Sequence, residues 1–346
     1  MYTSIDSMMR RYERLARQHR ADLTDREAFK AWQDEARARL SSLLGLTLLE
    51  KPADCGFKEL WSEDAGDGVR RTLAQIAVEE GVEMPFYILT PQHRLDSRVF
   101  ICPPGHQGGG MESVAGRHGN ADVERMTAHY NYDYGLRLAR MGHLVIAPDA
   151  RGFGLRREEG ESGDDKILLS SCRALAHMAL PLGLTVAGLQ VWDLMRLVDW
   201  LSEEGHGHIF LFGFSGGGLQ SLYTAAVDSR VEGAFISGYY YGFKDSLLLL
   251  NGNCDCNYIP RLWLDYEVSD IASLIAPRPL VIQSARGDHL NGPMGLDNVL
   301  PYVEELKEAY RLLGAEGKLY HDIIEGPHHF GHEHLKEDFE KIGMEI

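Results

Sequence analysis

The 346-residue sequence has no uninterrupted apolar run of the roughly 18 residues that a transmembrane helix needs. Its first residues also contain no apolar core of the kind found in a signal peptide. Cysteines are few and odd in number, five in all, unlike the paired framework of a small disulfide-rich secreted domain. We therefore expect a cytoplasmic protein without a membrane-spanning segment.

Basic residues are scarce. The chain has 35 Lys and Arg against 51 Asp and Glu, a formal net charge of −16. Such a charge repels phosphate backbones and anionic lipid surfaces, so we expect neither a nucleic-acid nor a membrane partner. Hydrophobic residues (44%) and charged residues (25%) are present at ordinary globular levels, and a large buried core is expected. The sequence does not decide between a monomer and a homo-oligomer.

The amino-terminal part of the chain, residues 1–50, is predicted to be a helical extension. Apolar residues recur at one-face helical spacing, and residues 24–27, Thr-Asp-Arg-Glu, resemble a capping box. Two β-like runs, 72–78 and 84–89, then follow around a short turn, as expected for an antiparallel hairpin.

From residue 99 onward, short apolar runs alternate with helical stretches, the pattern of a parallel sheet covered by helices on both faces. With the hairpin, these runs predict a mostly parallel sheet of about eight strands and hence an α/β fold. No Pro/Gly/Ser-rich linker divides the chain, so residues 51–346 are interpreted as one catalytic domain with loop insertions near 160–183 and 239–273. The six runs are 99–102, 144–147, 209–212, 234–236, 280–283 and 319–324.

Residues 213–217, Gly-Phe-Ser-Gly-Gly, form a G-x-S-x-G motif between a predicted strand and a predicted helix. Small residues are needed on both sides of the serine, because a side chain there would collide with the neighbouring strand or helix. The motif predicts that Ser215 is a nucleophile on a sharp turn. A glycine-rich turn that merely caps a helix is the alternative.

A serine nucleophile needs a histidine base and a carboxylate that orients it, and in this arrangement they follow in the order serine, acid, histidine. Asp288 stands five residues after the run 280–283 and is the preferred acid; Asp297 competes but fits a helix N-cap more simply. His328 and His329 both follow the last apolar run, and their positions alone do not separate them.

The oxyanion of an acyl-transfer intermediate requires two backbone N–H donors. The residue after the nucleophile, Gly216, supplies one. The glycine-containing loop 103–110 follows the run 99–102 and is expected to supply the other through the amide of His106, with Gln107 as the alternative.

These residues together resemble the α/β-hydrolase superfamily, and within it the acetyl xylan esterase-like and dienelactone hydrolase-like group. The resemblance covers most of the chain. It includes residues 149–154, similar to an Asp-x-Arg-Gly-x-Gly loop, and 276–280, Ala-Pro-Arg-Pro-Leu, which lead into the strand before the acid. It also includes 326–330, similar to a Gly-x-His-x-Phe ending, which implies that His328 is the base.

The resemblance implies a serine carboxylic ester hydrolase for short-chain, acetyl-type esters of small molecules, with no cofactor. Dienelactone hydrolases proper use a cysteine nucleophile, so Ser215 favours simple ester hydrolysis. Loops in the family often carry His-Gly before the oxyanion donor, where this chain has Pro104-Gly105. An amidase or peptidase with the same triad, and a non-catalytic protein on the same fold, are the alternatives.

Aromatic residues in the second insertion, Tyr239, Tyr240 and Trp263, are expected to bind substrate together with Gln107. No metal site is expected. The histidines between 328 and 334 match no usual zinc-ligand spacing, and Cys254 and Cys256 are too close in sequence for a Cys-x-x-Cys pair.

Overall fold

A single mixed sheet of nine strands organises the computed structural model, which describes residues 2–158, 160, 163 and 166–344. The strand order across the sheet is β1-β2-β3-β5-β4-β6-β7-β8-β9. The first three pairings, through β3–β5, are antiparallel, and the remaining five are parallel. The strands are β1 (Lys58–Asp64), β2 (Val69–Glu79), β3 (Val82–Pro91), β4 (Val99–Ile101), β5 (Leu144–Pro148), β6 (Ile209–Phe214), β7 (Val231–Ser237), β8 (Leu280–Ala285) and β9 (Leu319–Ile324).

Twelve α-helices lie in the described part of the chain, most of them between strands. They are α1 (Ile5–Leu15), α2 (Arg26–Leu44), α3 (Met111–Val114), α4 (Ala121–Tyr130), α5 (Tyr134–Arg140), α6 (Cys172–Ala179), α7 (Val186–Glu203), α8 (Gly216–Val227), α9 (Leu262–Asp265), α10 (Val268–Ser273), α11 (Leu300–Leu313) and α12 (Leu335–Lys341). Two hydrophobic clusters result, one including α2, α7, α8 and α10 and the other including α5 and α12.

The α/β fold is confirmed, and each of the eight predicted strands corresponds to one of β2–β9. The ninth, β1, was missed. Its sequence, KELWSED, is mostly charged, and only Trp61 is even partly buried, so the strand shows none of the apolar periodicity used for prediction. Charged residues are common on edge strands because they oppose pairing with another chain.

The predicted amino-terminal helices are present, and α2 packs into the same cluster as α7 and α8. Its N-cap is Asp25, whose carboxylate accepts hydrogen bonds from the amides of Glu27 and Ala28, and its C-cap is Gly45 at φ 85°. Because α2 buries its apolar face against the rest of the chain, the extension is part of the common core. The boundary at residue 50 stays a prediction.

Helix α7 carries polar as well as apolar side chains, and both kinds are buried along most of its length. Asp193 on this helix is buried and forms ion pairs with Arg151 and Arg156. Buried charges require such partners. The loop at residues 149–154 is therefore attached to α7 through charged side chains.

Among the described residues, no single helix is long and apolar enough to cross a membrane. The segments Cys172–Leu182 and Val186–Glu203 meet the length and composition criteria only as a pair, across a bend of 93°.

Asp338 on α12 is a buried carboxyl whose oxygens accept no hydrogen bond from any described residue. Burial, with the nearby charges of Asp322 and Glu337, raises its pKa to about 8, although His334 opposes the shift. The fold therefore favours the protonated acid. Its contribution to stability is complete below the unfolded pKa near 4 and is lost as the pH rises through about 8.

We expect Asp338→Asn, which is neutral at every pH, to remove this loss. Urea unfolding at about pH 5 and about pH 9 should show a pH-dependent decrease in stability that is smaller in the variant by about 1–3 kcal/mol, the usual cost of an unsatisfied buried polar group. Glu340→Gln, at an exposed position of α12 whose charge is not among those that shift the Asp338 pKa, is the matched control. The same pH dependence in both variants would contradict the assignment.

Candidate active site

Ser215 occupies a strained turn between β6 and α8. Its backbone has φ 57° and ψ −120°, a conformation that non-glycine residues seldom adopt. A Cβ on Gly213 would lie 2.1 Å from the Gly217 carbonyl oxygen, and one on Gly217 would lie 2.2 Å from the Pro103 oxygen. Only glycine fits at either position, as the motif predicts, and the turn directs the serine away from both elements.

Asp288 and His328 form a hydrogen-bonded pair beyond the carboxyl ends of β8 and β9. The His328 Nδ1 and Asp288 Oδ2 atoms are 2.6 Å apart, and both residues are buried. The second Asp288 oxygen accepts the backbone N–H of Leu290 at 2.8 Å. Because β8 and β9 are parallel neighbours, their carboxyl ends meet at one edge of the sheet and bring these loops together.

Ser215 and His328 line the same cavity, whose volume is about 590 Å³. The His328 ring packs against the ring of Phe214, the residue before the serine, with centroids 4.6 Å apart. Within the part of the chain that the structure describes, no hydrogen bond joins Ser215 to His328. Catalytic hydrogen bonds are often long before substrate binds, so this spacing is compatible with a nucleophile and its base.

The competing acid and base occupy different positions. Asp297 is exposed in the short turn Gly295–Asn298, and the N-cap of α11 is Val299 rather than the predicted Asp297. His329 points its Nδ1 atom to the Pro327 carbonyl oxygen at 2.7 Å, near the surface. The structure therefore places Asp288 and His328, and not these two residues, beside one another.

The loop 103–110 lies over the amino end of α8 and is held there by buried tyrosines. The Tyr134 hydroxyl donates to the Pro103 carbonyl oxygen at 2.5 Å, and the Tyr132 hydroxyl donates to that of His106 at 2.5 Å. Gln220 on α8 donates to the Pro104 oxygen at 2.9 Å. As a result, His106, Gln107 and Gly216 line the cavity together with Ser215.

The Asp149 carboxylate holds the junction between this loop and α3. Asp149 accepts hydrogen bonds from the amide of Met111, which begins α3, at 3.2 Å, and from that of Leu155 at 2.6 Å. A Cβ on Gly110 or on Gly154 would collide with this carboxylate, at 2.1 and 2.3 Å. The glycine at position 154 of the 149–154 motif thus has a packing explanation next to the site.

Of the four residues expected to bind substrate, Gln107 and Tyr239 line the cavity. Tyr240 does not; its hydroxyl donates to the Tyr302 carbonyl oxygen at 2.8 Å. Consecutive side chains of an extended segment point in opposite directions, so Tyr239 shares its side with Tyr241, at a ring distance of 5.3 Å. For Tyr240 the structure corrects the expectation.

Trp263 also does not line the active-site cavity. It borders a second cavity beside α1, of about 540 Å³, and its ring contacts that of Tyr12 at 6.2 Å. The sequence placed Trp263 in the same insertion as Tyr239 but gave no information on the course of that insertion, which turns back to pack on the amino-terminal helix.

The cavity also contains residues beyond the predicted candidates for catalysis and substrate binding. Tyr241 could have been predicted, because it follows Tyr239 by two positions in the same aromatic run. The others come from α4 and from loops whose positions no local sequence pattern indicates. These additional residues are Arg125, Met126, Tyr130, Tyr132, Leu168, Leu169, Ser170, Tyr241, Gly252, Asn253, Cys254, Asn257, His289 and Leu290.

Comparisons with known proteins agree with this architecture. No model of a known protein family matches the sequence. A Bacillus subtilis (strain 168) protein named "Putative hydrolase YtaP" is 29% identical over 185 residues, which are 51% of this chain and 56% of that protein. The match thus spans about half the length of the curated relative.

Two solved structures share the fold over nearly the whole chain. One, described as a "putative acetyl xylan esterase" from Bacteroides fragilis NCTC 9343, superposes with a TM-score of 0.76 at 16% identity, over 94% of this chain and 83% of the other. A glucuronoyl esterase from Solibacter usitatus gives a TM-score of 0.65 at 13% identity, over 95% and 96%. The chain has the α/β-hydrolase fold, as its resemblance to that superfamily predicted.

Proposed function

We propose that the protein is a serine carboxylic ester hydrolase that acts on short-chain esters. The observation that carries the proposal is the buried Asp288–His328 pair in the same cavity as a serine on a strained strand-to-helix turn. The names of the similar proteins, which include esterases and a hydrolase, support the same reaction class.

In this mechanism Ser215 Oγ attacks the ester carbonyl carbon while His328 Nε2 takes the hydroxyl proton. Asp288, bound to Nδ1, holds the imidazole in the required tautomer and stabilises its positive charge. His328 then returns the proton to the departing alkoxide, which leaves as the alcohol. Water attacks the acyl-enzyme with His328 as base, releasing the acid and restoring the serine.

The oxyanion of each tetrahedral intermediate would accept hydrogen bonds from the amides of Gly216 and His106. The Gly216 amide opens α8, where the first N–H groups have no partner within the helix. The His106 carbonyl oxygen accepts the hydroxyl of Tyr132, which lines the same cavity as Ser215. Because N–H and C=O of a trans peptide point in opposite directions, the Gln107 amide faces away, which favours His106 as the second donor.

The cavity suits a small, polar ester. Its lining offers several hydroxyl and amide groups, and Arg125 lies at an exposed position of its wall. These groups can hydrogen-bond the hydroxyls of a sugar, while Met126, Leu168 and Leu169 provide apolar surface for a short acyl chain. Acetylated sugars and related esters are therefore the proposed substrate class. The polar groups are those of Gln107, Tyr130, Ser170, Tyr239, Tyr241, Asn253 and Asn257.

A series of p-nitrophenyl esters from acetate to dodecanoate tests the proposal, with p-nitroanilides of the same acids assayed in parallel. We expect kcat/KM to be highest for acetate and to fall with chain length, and the ester to be cleaved in preference to its anilide. Acetylated monosaccharides follow as the second panel. Cleavage of the anilides alone would replace the esterase proposal with an amidase using the same residues.

A further inference from the structure

A cluster of three cysteines and a histidine from three separate segments borders the active-site cavity, which His106 and Cys254 line. His106 comes from the loop after β4, Cys172 begins α6, and Cys254 and Cys256 flank Asp255 in the second insertion. The His106 Nε2 and Cys256 Sγ atoms are 3.2 Å apart. The ligand atoms of His106, Cys254 and Cys256 all lie within 4.8 Å of one another.

Cys172 completes the cluster. It lies at the start of α6, which packs against the turn Asp255–Asn257 that carries Cys256, and all three cysteines are free. Cys172 and Cys256 are almost fully buried, whereas Cys254 lines the cavity and is accessible from it.

We propose that His106, Cys172, Cys254 and Cys256 bind a zinc ion. Three thiolates and one imidazole are a donor set that zinc takes up in tetrahedral structural sites, and soft sulfur ligands select zinc over magnesium or calcium. The sequence predicts no metal site, because these four residues are spread over 150 positions and show none of the short ligand spacings of zinc motifs.

The spacing of three of the ligand atoms, those of His106, Cys254 and Cys256, fits such an ion. Zn–S bonds of about 2.3 Å and Zn–N bonds of about 2.0 Å in a tetrahedron place ligand atoms about 3.5–3.8 Å apart. The observed 3.2 Å between His106 and Cys256, and the 4.8 Å limit on the other two pairs, require movements of only about 1 Å or less. The opening at Cys254 provides a path for the ion.

Neighbouring groups orient the ligands, as outer-shell partners of metal sites do. The Asn257 side-chain amide donates to Cys256 Sγ at 3.7 Å, and the Ser170 hydroxyl lies 3.8 Å from Cys254 Sγ. The His106 ring stands edge-on to Phe153 at 4.8 Å, which fixes its plane.

The metal would join the loop that carries the proposed oxyanion donor to α6 and to the second insertion. His106 would have two roles, its imidazole binding zinc through Nε2 and its amide facing the substrate. Zinc binding is measured without substrate, so failure of this proposal is distinguishable from failure of the esterase proposal.

The test uses the full chain, freed of metal with a chelator under reducing conditions and then titrated with Zn²⁺ against a chromophoric competitor. We expect one equivalent to bind and Co²⁺ to give thiolate charge-transfer absorption. Zinc should protect three of the five cysteines from alkylation, leaving Cys55 and Cys102 outside the site. Cys172→Ser and Cys256→Ser should each weaken binding at least about 10–100-fold, since loss of an outer-shell partner alone has that effect.

Cys55→Ser, which removes a half-buried thiol outside the cluster, is the matched control and should bind zinc as the parent does. Unchanged affinity in the Cys172 and Cys256 variants, or binding that falls equally in the Cys55 variant, would overturn the proposal. If a variant does not fold, the proposal is tested on the parent chain alone. Absence of the Co²⁺ charge-transfer absorption, or a disulfide within the cluster that persists under reducing conditions, would then overturn the proposal.

Discussion

Ser215→Ala is expected to lower kcat for p-nitrophenyl acetate on the order of 10³-fold or more, because the variant has no nucleophile to form the acyl-enzyme. Substrate binding should be nearly unchanged, since the serine contributes only a hydroxyl to a large cavity. A fluorophosphonate probe should label the parent chain under native conditions and leave the variant unlabelled. Steady-state kinetics and mass spectrometry of the labelled protein measure both effects.

Ser202→Ala is the matched control for this change. Ser202 is exposed near the end of α7, and its hydroxyl donates to the Val198 carbonyl oxygen at 2.7 Å, remote from the cavity residues. Its replacement should leave activity and labelling intact. Activity near the parent level in Ser215→Ala, with the fold preserved by circular dichroism, would refute the serine mechanism.

His328→Ala is expected to cause a loss of similar size, again on the order of 10³-fold or more, because proton transfer from Ser215 and to the leaving group would have no acceptor or donor. Combining it with Ser215→Ala should cost little more than either change alone, since residues that act as a unit are far from additive. The double variant and both single variants are compared by kcat/KM.

The adjacent His329 supplies the control, because the positions of the two histidines in the sequence did not show which one is the base. His329→Ala should retain most activity, because its imidazole contacts the Pro327 carbonyl oxygen and not Asp288. If instead the His329 variant were inactive and the His328 variant active, the base would be assigned to the wrong neighbour and the resemblance to the Gly-x-His-x-Phe ending would be misleading.

Local patterns predicted much of this molecule because they reflect local physics. The apolar runs that became β2–β9 are buried strands, and an alternation of such runs with helices has few compact arrangements. The turn at Ser215 was recognisable because two close approaches, at Gly213 and Gly217, exclude every side chain. The edge strand β1 escaped notice because its charged residues need no buried partner.

Long-range packing decided the rest. Whether an aromatic residue in the 239–273 insertion reaches the cavity depends on the course of the loop. For this reason Tyr240 lies against Tyr302, and Trp263 lies beside the second cavity. The buried state of Asp193 on α7 likewise depends on arginines about forty residues earlier in the chain. No periodic pattern of residues in the sequence indicates such distant partners.

By itself, the sequence determined the α/β architecture and limited the proposed triad to Ser215 with two candidate acids and two candidate histidines, because strand ends, glycine turns and the order of serine, acid and histidine are all local or sequential features. Only the tertiary structure decided which of two acids and two histidines meet, and it alone brought His106, Cys254 and Cys256 together with Cys172 beside them. Contacts between side chains far apart in the chain arise from the packing of whole segments, and that packing is a property of the folded molecule.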